Sequence, residues 1–285
     1  MDVWISAAAE RALPALHRSF RPEVVIVNSV HRSAWRSIRG WLRQAGTPTV
    51  LYVREAATLE HVPIAEMPPD LTLANSEVLR RGVIALGVPA SCVPSLIEFG
   101  RCEVATSRDV VLFVNPIPSR GLAIAVALAA DNPDRRFAFQ VSWPLRRRDE
   151  RALRGAINGY RNIELREYEP HAARVYRDAR VLLLPYRVDQ RPRVVAEAQY
   201  NGIPVLASDL SGHREAVGPG GLFVPPDGTR DAWTAGLRTL LDDVTAGPII
   251  AAARAHARRA DQDAAQIVQQ FEALMASVVS RHARA

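Results

Sequence analysis

The sequence predicts an α/β protein with two parallel sheets in series. Short β-branched runs alternate with longer amphipathic stretches along almost the whole chain of 285 residues, which is typical of βαβ units. The short runs are apolar without alternation, which indicates strands buried on both faces. Between residues 88 and 108 this pattern fades into Pro, Ser, Cys and Gly. We therefore predict two domains, residues 1–104 and residues 105–285.

The first domain is predicted to hold three strands and two helices after a helix-like N-terminal stretch. The predicted strands are residues 24–27, 49–53 and 71–74, and the predicted helices are residues 34–44 and 76–86. A glycine follows each helix, at Gly46 and Gly87, where a left-handed residue commonly ends a helix.

The second domain repeats the alternation and is predicted to hold six strands. The strands are residues 110–114, 137–141, 163–165, 181–184, 205–207 and 222–224, and the helices between them are residues 122–130, 148–157, 172–178 and 193–201. Roughly the last 40 residues are rich in Ala, Gln and Arg, and we predict them to be terminal helices of this domain.

The composition excludes several protein classes. With 48% hydrophobic and 23% charged residues, the chain is neither disordered, collagen-like nor a disulfide scaffold. No apolar run approaches the roughly 20 residues of a membrane span, and the N-terminus lacks the layout of a signal peptide, so we expect a cytoplasmic protein without a transmembrane segment. Cys92 and Cys102 form no CxxC or Cys/His cluster, and we expect free thiols.

All 36 basic residues are arginine, and the formal net charge is +6. A guanidinium contacts a phosphate as a planar fork rather than as a point charge. The arginines are spread along the chain, and aromatic residues make up only 6% of it, without a stripe between basic residues. We therefore expect no nucleic-acid partner.

The stretch from Asp189 to Ser208 carries the strongest functional signal. Asp189 lies in the loop after a predicted strand, and Glu197 follows eight residues later, inside the next predicted helix. Two carboxylates so spaced can flank one ligand at a helix N-terminus, where N–H groups and the helix dipole also favour a phosphate. A nucleotide sugar has matching sugar hydroxyls, a diphosphate and a ribose. Two acids at this spacing are by themselves more often structural, and the surrounding residues decide between the two interpretations.

That context resembles the retaining glycosyltransferases of family 4, which have the GT-B fold of two Rossmann-like domains. Their C-terminal domain carries a Glu-x7-Glu motif that continues as Glu-Ala-x-x-x-Gly-x-Pro-Val-x-x-Ser, followed by a Gly-rich turn and an acid. The matching residues here are Glu197-Ala198, Gly202, Pro204-Val205, Ser208, residues 211–215 and 220–227, Phe113-Val114-Asn115-Pro116, Ser119-Arg120-Gly121, Leu73-Ala74-Asn75-Ser76 and Leu86-Gly87-Val88-Pro89. The resemblance spans roughly residues 22 to 240, with the motifs in the family's order.

The resemblance implies a role for each matching residue. Asp189 stands where the first motif glutamate contacts the transferred sugar, and Glu197 stands where the second binds the ribose. Arg120 replaces a lysine that meets the diphosphate, which a guanidinium can contact bidentately. The expected catalytic residues are Asp189, Arg120 and Arg54, the last of which ends a strand where the family commonly has a histidine. The expected donor-binding residues are Asn115, Pro116, Arg120, Gly121, Glu169, Asp189, Arg191, Pro192, Arg193, Val194 and Glu197, with the backbone amides of residues 191–194 against the sugar and diphosphate.

The sequence departs from the family pattern at three of these positions. Asp189 is one methylene shorter than glutamate, so the sugar must sit closer or be bridged by water. Pro116 replaces a phosphate-binding arginine, for which Arg187 or Arg193 could substitute. Asn115 stands at the usual glycine and tolerates left-handed backbone.

Three further residues have two interpretations each. Glu169 is either at the edge of the nucleobase or a surface acid. Arg54 either faces the cleft or forms a structural ion pair with Glu55. His31 is another residue at a strand end, where a lone histidine is more often incidental.

The resemblance implies transfer of a sugar from a nucleoside diphosphate donor to an acceptor of unknown identity, with retention at the anomeric carbon. No cofactor and no metal are expected. Two alternatives stay open: a non-catalytic homologue that acts as a partner or activator subunit, and a nucleotide-sugar epimerase of similar fold. The N-terminal domain is predicted to be truncated relative to the family, so that either the acceptor is large or a second chain, such as another copy in a homodimer, completes the cleft.

Overall fold

A computed structural model describes residues 9–28, 30–259 and 262–284. The chain forms two compact units. One unit runs to Ser95 and takes in the residues from Ala265 onward, and the other is Leu96–Ala264. Each unit contains one parallel sheet, which confirms the predicted α/β class.

The first unit is built on a four-stranded sheet in the order β1-β2-β3-β4. The strands are β1 (Val25–Asn28), β2 (Thr49–Val53), β3 (Leu71–Ala74) and β4 (Ser91–Cys92), and the helices before and between them are α1 (Ala9–Phe20), α2 (Arg32–Gln44), α3 (Ala57–His61) and α4 (Glu77–Ala85). Helix α2 buries Ala34, Ile38 and Leu42, one residue per turn, so that a single stripe faces the sheet. Ser76 caps α4 by accepting a hydrogen bond from the Leu79 amide.

The second unit is built on a six-stranded sheet in the order β10-β9-β8-β5-β6-β7. The strands are β5 (Val110–Val114), β6 (Arg136–Gln140), β7 (Ile163–Arg166), β8 (Ala179–Leu184), β9 (Val205–Ser208) and β10 (Gly221–Val224), and the helices are α5 (Leu122–Asp131), α6 (Arg147–Ile157), α7 (Ala172–Tyr176), α8 (Arg193–Tyr200), α9 (Ser211–Val217), α10 (Arg230–Leu241) and α11 (Asp243–Ala257). All five residues of β5 are buried, as the continuous apolar run predicted.

The last helix, α12 (Ala264–His282), packs on the sheet of the first unit. Its Ile267 is buried against Val50, Leu73 and Val93 of that sheet. The sequence predicted terminal helices within a domain of residues 105–285, and the structure differs for this helix. Apolar spacing reports that a helix has a face to bury but not which sheet covers it.

The boundary between the units also differs from the predicted one, at residues 95 and 96 instead of 104 and 105. The segment after residue 95 belongs to the second unit because Phe99 stacks on Tyr200, with 4.6 Å between ring centroids, and Cys102 is buried in the second core. Asn201 fastens the same segment by donating to the Cys102 carbonyl at 2.8 Å. Both cysteines are thiols rather than a disulfide.

Candidate functional site

The strand order of the second sheet reverses between β5 and β8. From β5 the chain continues outward through β6 and β7 on one side, whereas β8, β9 and β10 extend on the other. The loops after β5 and β8, residues 115–121 and 185–192, therefore leave the carboxyl edge of the sheet in opposite directions. Ligands of open parallel sheets bind in the crevice that such loops form. Most of the predicted donor-binding residues lie in these two loops and in the first turns of α8.

The loop after β5 is fixed by Asn115. This residue has left-handed backbone, with φ of 57°, which asparagine tolerates better than most residues. Its amide donates to the Gln140 carbonyl at 2.8 Å, and its Oδ1 accepts from the Ser142 amide at 3.1 Å. Asn115 therefore joins the ends of β5 and β6, and Pro116 after it is buried.

Gly121 ends this loop where it meets the loop after β8. Its φ is 80°, and a Cβ at this position would overlap the carbonyl oxygen of Pro185. The Arg187 amide donates to the Ser119 carbonyl at 3.4 Å, and this hydrogen bond also joins the two loops. The absence of a side chain at Gly121 thus lets the two loops pack against each other.

Arg120 is held by two aromatic rings. Its guanidinium carbon lies 4.7 Å from the ring centroid of Trp143 and 4.7 Å from that of Tyr186. Its Nη1 donates to the Tyr186 hydroxyl at 3.3 Å, and that hydroxyl donates to the Val114 carbonyl at 3.0 Å. Burial raises the pKa of Tyr186, so the hydroxyl keeps the proton that it donates.

The charge of Arg120 has no carboxylate partner within the described part of the chain, where its one polar contact is the neutral Tyr186 hydroxyl. The other two arginines of the predicted donor-binding set differ. Arg193 is paired with Glu197 at 3.1 Å, and Arg191 lies 3.8 Å from Glu215. Arg120 is therefore the arginine of these three whose charge is left for an anion.

Asp189 lies beside the first turn of α9. Its Oδ1 accepts a hydrogen bond from the Gly212 amide at 2.7 Å. A Cβ on Gly212 would lie 2.8 Å from that same oxygen, so the contact requires glycine. Asp189 is half-buried, and this bond fixes its carboxylate at the end of β8.

Glu197 is buried, and both of its oxygens are bonded. Its Oε2 accepts from the Tyr176 hydroxyl at 2.7 Å, and its Oε1 accepts from Arg193 Nη2 at 3.1 Å. Burial, and then the Glu197 charge, raise the pKa of Tyr176 well above its usual value, so the phenol remains a donor. A ribose that binds Glu197 would have to displace Arg193 from the carboxylate. Of these two side chains, that of Arg193 is the more exposed one.

Helix α8 begins at the carboxyl edge, where the sequence predicted a run of backbone amides from Arg191 to Val194. Pro192 is the N-cap residue and has no N–H, so this run contains three donors rather than four. The Val195 amide bonds to the Pro192 carbonyl at 3.2 Å, which leaves the amides of Arg193 and Val194 as the first two of the helix.

Glu169 lies in the loop after β7, shortly before α7. Its carboxylate accepts from the His171 amide at 2.8 Å, and this bond lowers the pKa of Glu169. Arg174 lies 3.7 Å from the other oxygen. The position of Glu169 at the edge of a nucleobase stays a prediction.

A cavity of about 660 Å³ opens between the ends of β6 and β7, close to the predicted site. Its lining is mainly apolar and includes Trp143, Leu153, Leu165 and Tyr168. The sequence did not single out this cavity or either aromatic residue. The sequence signal that could have identified Trp143 and Tyr168 is their position. Each follows a strand at its carboxyl end, where ligands of parallel sheets bind.

The first unit holds Arg54 and His31. Arg54 follows β2, its guanidinium carbon lies 5.9 Å from the Tyr52 ring centroid, and its buried Nε has no hydrogen-bond partner among the described residues. The alternative ion pair with Glu55 is not formed in the described chain. The His31 ring accepts from the Ala34 amide at 3.3 Å and so caps α2, which gives this histidine a structural role.

The described residues contain neither a cluster suited to a metal ion nor a helix suited to a membrane. Within residues 9–28, 30–259 and 262–284, no group of three or more His, Cys, Asp or Glu side chains could hold a metal ion. No helix in the same ranges is both long and apolar enough to cross a membrane.

Comparison with known proteins identifies the fold. Residues 141–243 match the family model of the glycosyl transferases group 1, and no curated protein matches the chain. Among solved structures, HepE from Anabaena, crystallised with UDP and glucose, superposes with a TM-score of 0.79 at 16% identity, over 97% of this chain and 84% of HepE. The fold is GT-B.

Two further structures agree with this fold. Sucrose-phosphate synthase from Thermosynechococcus elongatus has a TM-score of 0.79 at 18% identity, over 95% of this chain and 77% of the synthase. A glycosyltransferase from Rickettsia africae has a TM-score of 0.77 at 10% identity, over 98% of this chain and 84% of that chain. The predicted GT-B fold is confirmed, and the match over residues 141–243 supports a glycosyltransferase.

Proposed function

We propose that this protein is a retaining glycosyltransferase that transfers a sugar from a nucleoside diphosphate donor to an acceptor. The observation that carries the proposal is the position of Arg120, a cation without a carboxylate partner among the described residues, at the point where the strand order reverses. HepE, which has the same fold, was crystallised with UDP, with UDP and glucose, and with UDP-glucose.

Arg120 supplies the charge that the reaction needs. As the bond between sugar and diphosphate breaks, negative charge develops on the leaving phosphate. A fixed guanidinium stabilises that charge without having to reorganise, and it can bond two phosphate oxygens at once. Helices α5 and α8 begin at the same edge of the sheet, and their N-terminal amides favour the same charge. The proposal therefore requires no bound metal, and unchanged turnover in EDTA is the expected result.

Asp189 is proposed to orient the transferred sugar. Because the Gly212 amide fixes one carboxylate oxygen, the other can accept from sugar hydroxyls. We assign no covalent attack to this residue. The acceptor is proposed to attack on the same face of the sugar that the diphosphate leaves, and the donor phosphate is proposed to take the proton of the acceptor. Attack on that face gives retention.

Nucleotide binding tests the proposal most directly. We expect UDP, GDP, ADP or dTDP to bind with measurable heat in isothermal titration, and Arg120→Ala to weaken that binding about 10- to 100-fold, the loss of charge-assisted hydrogen bonds. Arg151→Ala on α6, an exposed arginine that forms no ion pair among the described residues, is the matched control and should bind like the wild-type chain. No binding of any of the four at millimolar concentration would refute the proposal and favour the non-catalytic homologue.

The type of reaction needs separate measurements. Proton NMR of a glycosylated product reports its anomeric configuration, and inversion would contradict retention. Mass spectrometry and NMR of a bound donor without acceptor distinguish an epimer from hydrolysis, so an epimerised donor would favour the epimerase. The predicted homodimer or partner chain stays a prediction that light scattering of the purified protein would check, and the cytoplasmic location likewise stays a prediction.

A further inference from the structure

Trp143 and Tyr186 have no role in the function proposed above, yet both contact its central cation. The guanidinium carbon of Arg120 lies 4.7 Å from the centroid of each ring. We infer that Trp143 and Tyr186 are positioning residues that fix Arg120 for the diphosphate of the donor. This inference rests on the proposed function, because Arg120 must first bind the diphosphate.

A single arginine in this position needs support. Its side chain has many rotamers, and each must be given up when the guanidinium bonds a phosphate. Pro116 replaces the second cation that the resemblance led us to expect. Arg120 is therefore the one arginine of the loop after β5, residues 115–121. A guanidinium that is already held in place loses less entropy when the ligand binds.

Aromatic rings can hold a cation without neutralising it. A carboxylate beside Arg120 would fix its position equally well but would cancel much of its attraction for a phosphate. The face of an aromatic ring attracts the guanidinium through its quadrupole and carries no net charge. Among the described residues, Arg120 has two such faces and one neutral hydroxyl as its partners, which holds it and leaves its charge for the ligand.

The two rings are fixed in different ways. Tyr186 is fully buried, donates to the Val114 carbonyl at 3.0 Å, and packs edge-to-face on His213 with 5.8 Å between ring centroids. Tyr186 is therefore a rigid support for Arg120, bonded to the end of β5. Trp143 is 40% exposed and also lines the cavity of about 660 Å³ together with Tyr168. Trp143 is thus the ring that can be replaced without opening the core.

The test compares a nucleoside diphosphate with its nucleoside. The probe is whichever of UDP, GDP, ADP and dTDP binds the wild-type chain, and the nucleoside with the same base is followed by ligand-observed NMR. We expect Trp143→Ala to weaken the diphosphate about 5- to 10-fold, which corresponds to one cation–π contact, and the nucleoside less than about 2-fold. Trp143→Phe, which keeps an aromatic face, should restore most of the affinity.

A double-mutant cycle with Arg120→Ala separates positioning from direct contact. If Trp143 acts through Arg120, Trp143→Ala should have no further effect on diphosphate binding once Arg120 is absent. The matched control is Tyr168→Ala, which removes an exposed aromatic residue of the same cavity that has no contact with Arg120. This control should not discriminate between diphosphate and nucleoside.

Equal losses for diphosphate and nucleoside, or additive effects in the cycle, would overturn the inference and leave the proposed function intact. Failure of the wild-type chain to bind any of the four diphosphates would overturn both. Circular dichroism checks that each variant folds, and Trp143→Leu, which keeps an apolar side chain without the aromatic face, replaces the alanine variant if that one does not fold.

Discussion

Gly121→Ala tests whether the two loops of the candidate site depend on close backbone packing. Gly121 has φ of 80°, and a Cβ there would overlap the carbonyl oxygen of Pro185. Gly159, between α6 and β7, has φ of 88° but has no atom within 4 Å of the corresponding position. The two glycines share the left-handed backbone and differ in the space around it, so Gly159→Ala is a matched control.

The expected magnitudes follow from these two terms. Left-handed backbone costs a residue with a Cβ about 1–2 kcal/mol, which applies to both variants. Overlap with the Pro185 carbonyl adds about 1–3 kcal/mol for Gly121→Ala alone, because the loops must move apart. We therefore expect a loss of about 2–5 kcal/mol at Gly121 and about 1–2 kcal/mol at Gly159. Any effect of alanine on the unfolded chain is common to both and cancels in the difference.

Urea unfolding followed by far-UV circular dichroism, fitted with one transition for each unit, measures both losses. The variant at Gly121 should also bind nucleoside diphosphate more weakly, because residues 115–121 carry Arg120, whereas the control should bind normally. Equal losses of stability in the two variants would refute the argument that the loops are in contact at Gly121.

Three further predictions concern buried polar groups of the second unit. Burial raises the pKa of Asp178, but the hydrogen bonds and charge of Arg166, together with the charge of Arg177, lower the pKa overall. Asp178→Asn should therefore cost about 2–3 kcal/mol at pH 7 in urea unfolding. Since the folded pKa is depressed, that cost should shrink as the pH falls below about 4, and a constant cost would contradict this. Tyr176→Phe removes the 2.7 Å donor to buried Glu197 and should cost about 1.5–3 kcal/mol in the same assay, whereas an unchanged stability would mean that water replaces the phenol. Burial raises the pKa of Cys102 to about 12. Iodoacetamide at pH 8 should therefore alkylate this thiol only in denaturant, as mass spectrometry would detect. Rapid alkylation of the native chain would contradict the burial of Cys102.

Many elements of the fold could be predicted because their burial leaves a pattern in the sequence. The predicted strands 49–53, 71–74 and 110–114 coincide with β2, β3 and β5, which are short and mainly apolar runs. One of the missed elements is long, α10 (Arg230–Leu241), which precedes the predicted terminal helices, and the others are short. Strand β4 has two residues inside the predicted linker, and α3 and α9 have five and seven residues, too few for a helical period to be visible.

The candidate site was predictable in part. The motif order led to Arg120 and Asp189, and the structure places both at the reversal of the strand order. Trp143 was missed because its contact with Arg120 joins residues 23 positions apart on different loops, and such contacts leave no local period. Tyr176 as a partner of Glu197 was missed for the same reason, since it reaches Glu197 from the preceding helix.

By itself the sequence determined the α/β class, the two sheets and the position of Arg120 in the loop after β5, because alternating burial and turn residues act over short stretches of chain. The tertiary structure decided which sheet α12 covers, which arginines are neutralised by acids and which one is held by aromatic rings. These are properties of side chains that meet only when distant strands end at the same edge of a sheet, and the charge left on Arg120 depends on which partners are found there.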